Sequence, residues 1–180
     1  TRTHSFPKII TSNNHYYAID FDGDGRRDLL NNPVDAIGSV GNYFSRHGWQ
    51  KNQPVAFPVT VENSQYQDFI AKGLKYKDTF GQLETAGIQL DQQAARQFSL
   101  PHAQEKWQQI AAASNAKLFE FEQSTQAEYW LGLKNFYVIT RYNHSPLYAM
   151  AVYQFSLKLG QARRLQVEVP ALSPNIELKP

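Results

Sequence analysis

Nine consecutive residues carry the clearest chemical pattern in this chain: Asp20-Phe21-Asp22-Gly23-Asp24-Gly25-Arg26-Arg27-Asp28. Carboxylates at alternate positions suit a hard cation, because a tight loop can wrap their oxygens around one centre. In the register of an EF-hand loop, Asp20, Asp22 and Asp24 take positions 1, 3 and 5. Gly25 supplies the sharp turn at position 6, the Arg26 carbonyl falls at position 7, and Asp28 falls at position 9, often a ligand through water. Position 12, a bidentate Glu in the regular loop, is Asn31, so Asp35 is the nearest downstream carboxylate able to close the shell. Carboxylates this close repel one another without a cation, which favours Ca2+. Magnesium, which keeps more of its water, suits the loop less. The plainer alternative is a solvated acidic turn, with Asp35 serving only the dipole of the next helix.

A second constellation runs from Asn135 to Ser145, Asn-Phe-Tyr-Val-Ile-Thr-Arg-Tyr-Asn-His-Ser. It reads as an extended, strand-like aromatic segment that ends in polar groups just before a helix. Such a junction can present Tyr142 and Asn143 to a cleft, where rings stack on sugar faces and amides bond hydroxyl or acetamido groups. The same pair before an N-cap can equally be a local structural device. The five His are scattered without metal-ligand spacing, so zinc is not expected. There is no Gly-x-Ser-x-Gly and no phosphate loop.

The elements that must hold these groups divide the chain into four zones, 1–52, 53–128, 129–165 and 166–180. In the first, Asn32 is a natural N-cap, Pro33 sits at the first helical position and Asp35 lies in the first turn. Val34, Ile37, Val40 and Phe44 mark an expected apolar face, and Gly48 supplies the stop. The second zone mixes short helices, among them 63–73 and the Thr79-x-x-Gln82 capping box ending at Gly87, with a strand over Lys117–Phe121. It reads as a small inserted α/β subdomain. In the third, Ser145-Pro146 starts a helix running to about Arg164. Pro170, Pro174 and Pro180 then predict an extended C-terminal arm.

Composition bounds the rest. Apolar residues make up 42% and charged residues 19% of the 180, which is globular and not disordered. A net charge of +2 gives no grip on nucleic acid. With no Cys there are no disulfides and no thiolate metal sites. Three Trp, ten Tyr and eleven Phe are a high aromatic load; rings beyond what a core needs often face carbohydrate or a partner, and the plainer alternative is a well-packed core.

Two blocks carry a family likeness. Tyr17-Ala18-Ile19-Asp20 through Gly25, with Asn32-Pro33-Val34-Asp35-Ala36-Ile37-Gly38-Ser39-Val40 and Asn42-Tyr43-Phe44, resembles the membrane-bound lytic murein transglycosylase B family. So does Gly132-Leu133-Lys134-Asn135-Phe136-Tyr137 through Arg141-Tyr142-Asn143-His144-Ser145 and Tyr148-Ala149-Met150-Ala151-Val152. The resemblance implies a mainly α (α+β) fold: a partial lysozyme-like core with an EF-hand-like calcium loop and a small β-containing insertion. It implies non-hydrolytic cleavage of the MurNAc–GlcNAc bond of peptidoglycan, the MurNAc 6-hydroxyl closing a 1,6-anhydro ring. Tyr43, Tyr142, Asn143 and Tyr148 match cleft-lining positions, and Lys8 stands where the family has a cleft glutamine. Asp20, Asp22, Asp24, the Arg26 carbonyl and Asp35 match the calcium site.

The family's catalytic acid is a Glu in a Glu-Ser/Thr-x-Tyr/Phe-Gly-like setting upstream of the calcium loop. The eight Glu of this chain, Glu62 to Glu177, all follow the loop and none has that setting. These 180 residues are therefore expected to be inactive alone. The implied partners are peptidoglycan glycan strands and the N-terminal half of the same protein. The implied location is the periplasm, with a lipid anchor to the outer membrane in the full-length form. The alternative is a noncatalytic, calcium-stabilised peptidoglycan-binding module.

Overall fold

A computed structural model describes residues 14–70, 76–100, 102–110, 114–122 and 127–168, with side chains from 16 to 163. Lys8, residues 71–73 of the expected second-zone helix and the arm beyond 168 lie outside the described residues. About half of the described residues are helical.

A short helix α1 (Asn14–Tyr17) leads through the acidic loop into α2 (Pro33–Arg46). The expected punctuation is realised. Asn32 Oδ1 accepts from Val34 N at 3.0 Å and Asp35 N at 3.4 Å, Pro33 opens the helix, and Gly48 follows at φ +86°. The buried face is a correction. Val34 and Ile37 are 44% and 72% exposed, whereas Asp35, Gly38 and Ser39 are buried. The preceding loop lies along the polar side of α2 because its backbone groups need partners, and that side supplies them.

The middle of the chain builds β1 (Ala56–Val61), α3 (Tyr66–Ile70), β2 (Asp78–Thr79), α4 (Phe80–Thr85), β3 (Ile88–Leu90), α5 (Gln92–Gln97), α6 (Ala103–Gln109), β4 (Asn115–Glu122) and β5 (Ala127–Gly132). The strands form one sheet in the order β2-β4-β5-β1-β3, with every pairing antiparallel. The Thr79–Gln82 capping box is present and starts α4. Strand β5 crosses the expected zone boundary at residue 128.

Period-two alternation sorts the side chains onto two faces. Phe57, Val59, Leu118 and Leu131 point to one, where Phe80, Leu83, Ala95 and Trp107 of α4–α6 cover them. Ala56, Phe119, Phe121 and Trp130 point to the other. That second face is covered by α7 (Lys134–Tyr142) and α8 (Pro146–Glu168) through Phe136, Ile139, Ala149, Met150 and Tyr153. The middle segment is thus the floor on which the last two helices rest.

Segment 135–142, expected to be extended, is helical and forms most of α7. Its buried Phe136, Ile139 and Thr140 recur at spacings of three and four, the helical period, which outweighed the β-prone composition. Helix α8 begins as expected, with Ser145 Oγ accepting from Tyr148 N at 3.2 Å, and it runs four residues past Arg164.

Candidate functional site

Asp20, Asp22, Asp24 and Asp35 each place one carboxylate oxygen within 4.8 Å of the others. That all-oxygen donor set is of the right chemistry for a hard divalent cation, and the group is compact enough to share one ion.

Local geometry explains how the chain makes this cup. Asp20 Oδ1 accepts from Gly23 N at 2.7 Å and Asp24 N at 3.1 Å, and its Oδ2 accepts from Gly25 N at 2.8 Å. Asp24 Oδ1 takes Arg26 N at 2.8 Å. Gly23 and Gly25 both have positive φ, +79° and +88°, which a side chain there would strain. Asp35, fully buried, ties both ends of the loop: Oδ1 accepts from Phe21 N at 2.7 Å and Oδ2 from Asp28 N at 2.9 Å. Asn32 Nδ2 donates to Asp22 Oδ2 at 2.8 Å.

Asp28 is not brought into the four. Its Oδ1 accepts from Asn31 N at 2.9 Å and Leu30 N at 3.0 Å, and the Asn31 side chain donates to both of its oxygens. These bonds, the Asn31 backbone first, hold its carboxyl below the usual value. It closes the turn at position 12, where the regular Glu is missing. Arg26 enters the loop through its N–H.

The loop continues onto α2 by a polar stripe that sequence reading missed. Ser39 Oγ accepts from Ile19 N at 3.0 Å, and Asn42 Nδ2 donates to Tyr17 O at 2.9 Å. Asp35, Ser39 and Asn42 are spaced by four and three, so one helix face serves the backbone of 17–28. Gly38 lies in the same face because Phe21 covers it: a Cβ there would stand 2.4 Å from the Phe21 ring.

The neighbouring residue on α2, Tyr43, turns to the other constellation. Its hydroxyl donates to Arg141 O at 2.8 Å, and its ring meets Tyr142 edge-on at 5.4 Å. Tyr148 lies parallel to Tyr142 at 6.4 Å. Tyr17 and His47, neither foreseen, extend the group, with His47 stacked on Tyr43 at 4.0 Å. Burial raises the Tyr43 and Tyr142 phenols above the ordinary value, so both stay neutral donors. Asn143 ends α7 with an extended backbone and is exposed beside the ring wall. The structure thus brings Tyr43, Tyr142 and Tyr148 together, with Asn143 adjacent.

Another residue of the second block is a clamp. Asn135, fully buried, accepts from Gln50 N at 2.8 Å and donates to Gln50 O at 2.8 Å and Gln53 O at 3.0 Å. It fixes the segment after α2 against α7.

Comparison with known proteins now decides the family. The model of the transglycosylase SLT domain matches residues 6–157. The chain belongs to that family. It is 40% identical over 158 residues to membrane-bound lytic murein transglycosylase B of Escherichia coli K12, covering 88% of this chain and 38% of that protein. Soluble lytic transglycosylase SltB1 of Pseudomonas aeruginosa superposes with a TM-score of 0.69 at 34% identity, over 83% of this chain and 44% of SltB1. Escherichia coli lytic transglycosylase Slt35 in complex with calcium gives 0.57 at 38% identity, over 81% and 41%. Pseudomonas aeruginosa SltB3 in complex with NAG-anhNAM-pentapeptide gives 0.60 at 30%, over 80% and 35%. The chain therefore spans less than half the length of these relatives. Among the described residues no helix is long and apolar enough to cross a membrane.

Proposed function

We propose that this chain is the calcium-stabilised, glycan-binding part of a periplasmic lytic murein transglycosylase. The observation that carries the reading is that one helix, α2, holds Asp35 of the four-carboxylate cluster on one face and Tyr43 of the aromatic wall on another. A cation in the loop would fix α2, and α2 would fix the wall against Tyr142 and Tyr148. The calcium complex of Slt35 and the sugar–peptide complex of SltB3 support the two halves of that reading. The sheet of β1 to β5 acts as an inserted subdomain that supports α7 and α8.

The wall's part is to seat an N-acetylated sugar by ring stacking, with Asn143 offering an amide to hydroxyl or acetamido groups. Cleavage itself needs a proton delivered to the leaving glycosidic oxygen and a base for the 6-hydroxyl. No Glu among the 180 residues has the family's setting, so these residues alone bind but do not cleave. The exposed apolar residues Val34, Ile37, Leu147 and Phe155 are the surface that the rest of a longer relative's core would cover.

The test is binding of murein glycan fragments by calorimetry, with Tyr142→Ala and Asn143→Ala beside the wild type. Weakened binding with an unchanged melting temperature supports the wall. Early melting with unchanged binding would return both residues to a structural role. A digest of murein sacculi by the 180-residue chain, read for 1,6-anhydro products by mass spectrometry, should be blank.

A further inference from the structure

At the N-terminal end of α7 lies a cavity of about 860 Å3 that the glycan reading leaves unused. Lys77, Lys106 and Lys134 all line it, and no Asp or Glu does. The carboxylate carried by α6, Glu105, is turned to His102 at 3.1 Å. Among the described residues none of the three ammonium groups has an ion pair. Gln53 and Asn115 add amides to the rim, and Tyr137 forms part of the wall with the Lys134 ammonium 5.4 Å from its ring centre.

Three lysines, one just before β2, one on α6 and one on α7, raise a positive potential that an anionic ligand would neutralise. The amides around them suit a ligand with a peptide backbone, and the size exceeds what a lone inorganic anion fills. Position narrows the class further. Lys134 begins α7 and Tyr142 ends it, so the cavity and the sugar wall are about 12 Å apart along the helix axis. An extended peptide covers about 3.3–3.6 Å per residue, so about four residues reach from one to the other. Arg141, with its guanidinium 5.9 Å from the Tyr137 ring, lies along the way.

We propose that this cavity receives the carboxylate-bearing peptide attached to the murein sugar, so that the chain reads peptide and glycan together. The assignment rests on the glycan reading for the direction from which the peptide arrives, but its residues are separate from the wall. Lys77, Lys106 and Lys134 bind the peptide's carboxylates, and Gln53 and Asn115 pair with its amides.

The experiment uses the full 180-residue chain and four probes: a disaccharide-pentapeptide, the same disaccharide without peptide, the free pentapeptide, and the pentapeptide with amidated carboxylates. The free pentapeptide should shift backbone amide resonances of Gln53, Lys134 and Tyr137. The triple variant Lys77→Gln, Lys106→Gln, Lys134→Gln should weaken the disaccharide-pentapeptide about 10-fold or more while leaving the bare disaccharide unchanged. The melting temperature should not fall, since Lys77 and Lys134 are exposed. Equal affinity for the disaccharide with and without peptide would overturn the proposal and leave the glycan wall standing. Equal shifts from the amidated peptide, or from inorganic phosphate at the same concentration, would overturn the acidic-peptide assignment. Shifts by the free pentapeptide without binding of the bare disaccharide would uphold the cavity and sink the glycan reading.

Discussion

Asp22→Asn and Asp35→Asn, melted in calcium and in chelator, separate two roles that one loop combines. Asp22 is exposed and its carboxylate takes Asn32 Nδ2 at 2.8 Å and a long bond from Asp24 N at 3.3 Å. Its amide version keeps an acceptor oxygen for either. In chelator the substitution also removes one of four mutually repelling charges, so its stability cost should be near zero. Asp35 is different. Both of its oxygens take a backbone N–H, at 2.7 and 2.9 Å, and the side chain is fully buried. An amide offers one acceptor, so one of the two backbone N–H groups must face an NH2 group. Losing a charge-assisted bond and orphaning a donor costs about 2–4 kcal/mol even without metal.

Calcium at 100 times its dissociation constant would add about 2.7 kcal/mol if only the folded state binds. For a chain of this size that is about 5–10 °C in melting temperature. The expected pattern is then specific. The wild type gains that shift, Asp22→Asn starts level with it in chelator and gains little, and Asp35→Asn melts lower in both conditions. Identical wild-type curves in calcium and chelator would refute the metal site. Equal losses for the two variants in chelator would refute the division of roles.

Gly38→Ala should lower stability by about 1–3 kcal/mol and weaken calcium binding, because the new Cβ drives Phe21 and its loop off α2; thermal melts and a calcium titration check both. Asn135→Ala should cost about 1–3 kcal/mol by denaturant titration, since it removes three bonds that a fully buried side chain makes to the backbone of Gln50 and Gln53. Burial raises the Tyr76 and Tyr153 phenols above their unfolded value, so the stability they contribute is complete below about pH 10 and is lost as pH rises further. A spectrophotometric tyrosine titration should therefore show late-titrating phenols that appear together with alkaline unfolding. Asp28 has the opposite sign: its carboxyl is lowered by the Asn31 backbone, so its share of loop stability is present above about pH 4 and lost below, to be read as acid-shifted melting that Asp28→Asn abolishes.

The elements that were legible beforehand are those written in local grammar. Asn32-Pro33, Thr79-x-x-Gln82 and Ser145-Pro146 each announce a helix start within four residues, and each is found where it was expected. The alternating oxygens of 20–24 likewise need only neighbours in sequence to be read. Segment 135–142 was misread because Tyr, Val, Ile and Thr favour strands in isolation. Its helix is decided by which side chains meet Phe119 and Met150, contacts that lie outside the segment.

Helix α2 shows why the site was legible in its residues but not in its construction. An apolar stripe at 34, 37, 40 and 44 predicts the face turned to the core, on the premise that apolar burial decides orientation. Around this helix the deciding demand is different. Residues 17–28 form a loop with little regular hydrogen bonding of its own, and Asp35, Ser39 and Asn42 supply its backbone with partners. An orphaned buried N–H costs about 1–3 kcal/mol, comparable to exposing one large aliphatic side chain. Four partnerships, three to backbone N–H groups and one to a carbonyl, set the face that α2 turns to the loop and leave Val34 and Ile37 facing outward. Asp35 was foreseen as a metal ligand or a helix-dipole charge, and in the structure its two oxygens also accept from Phe21 N and Asp28 N and so position both ends of the loop. Asp35 thus organises the loop and keeps Asp20, Asp22 and Asp24 gathered beside it, so that a cation binding there would meet a site already built.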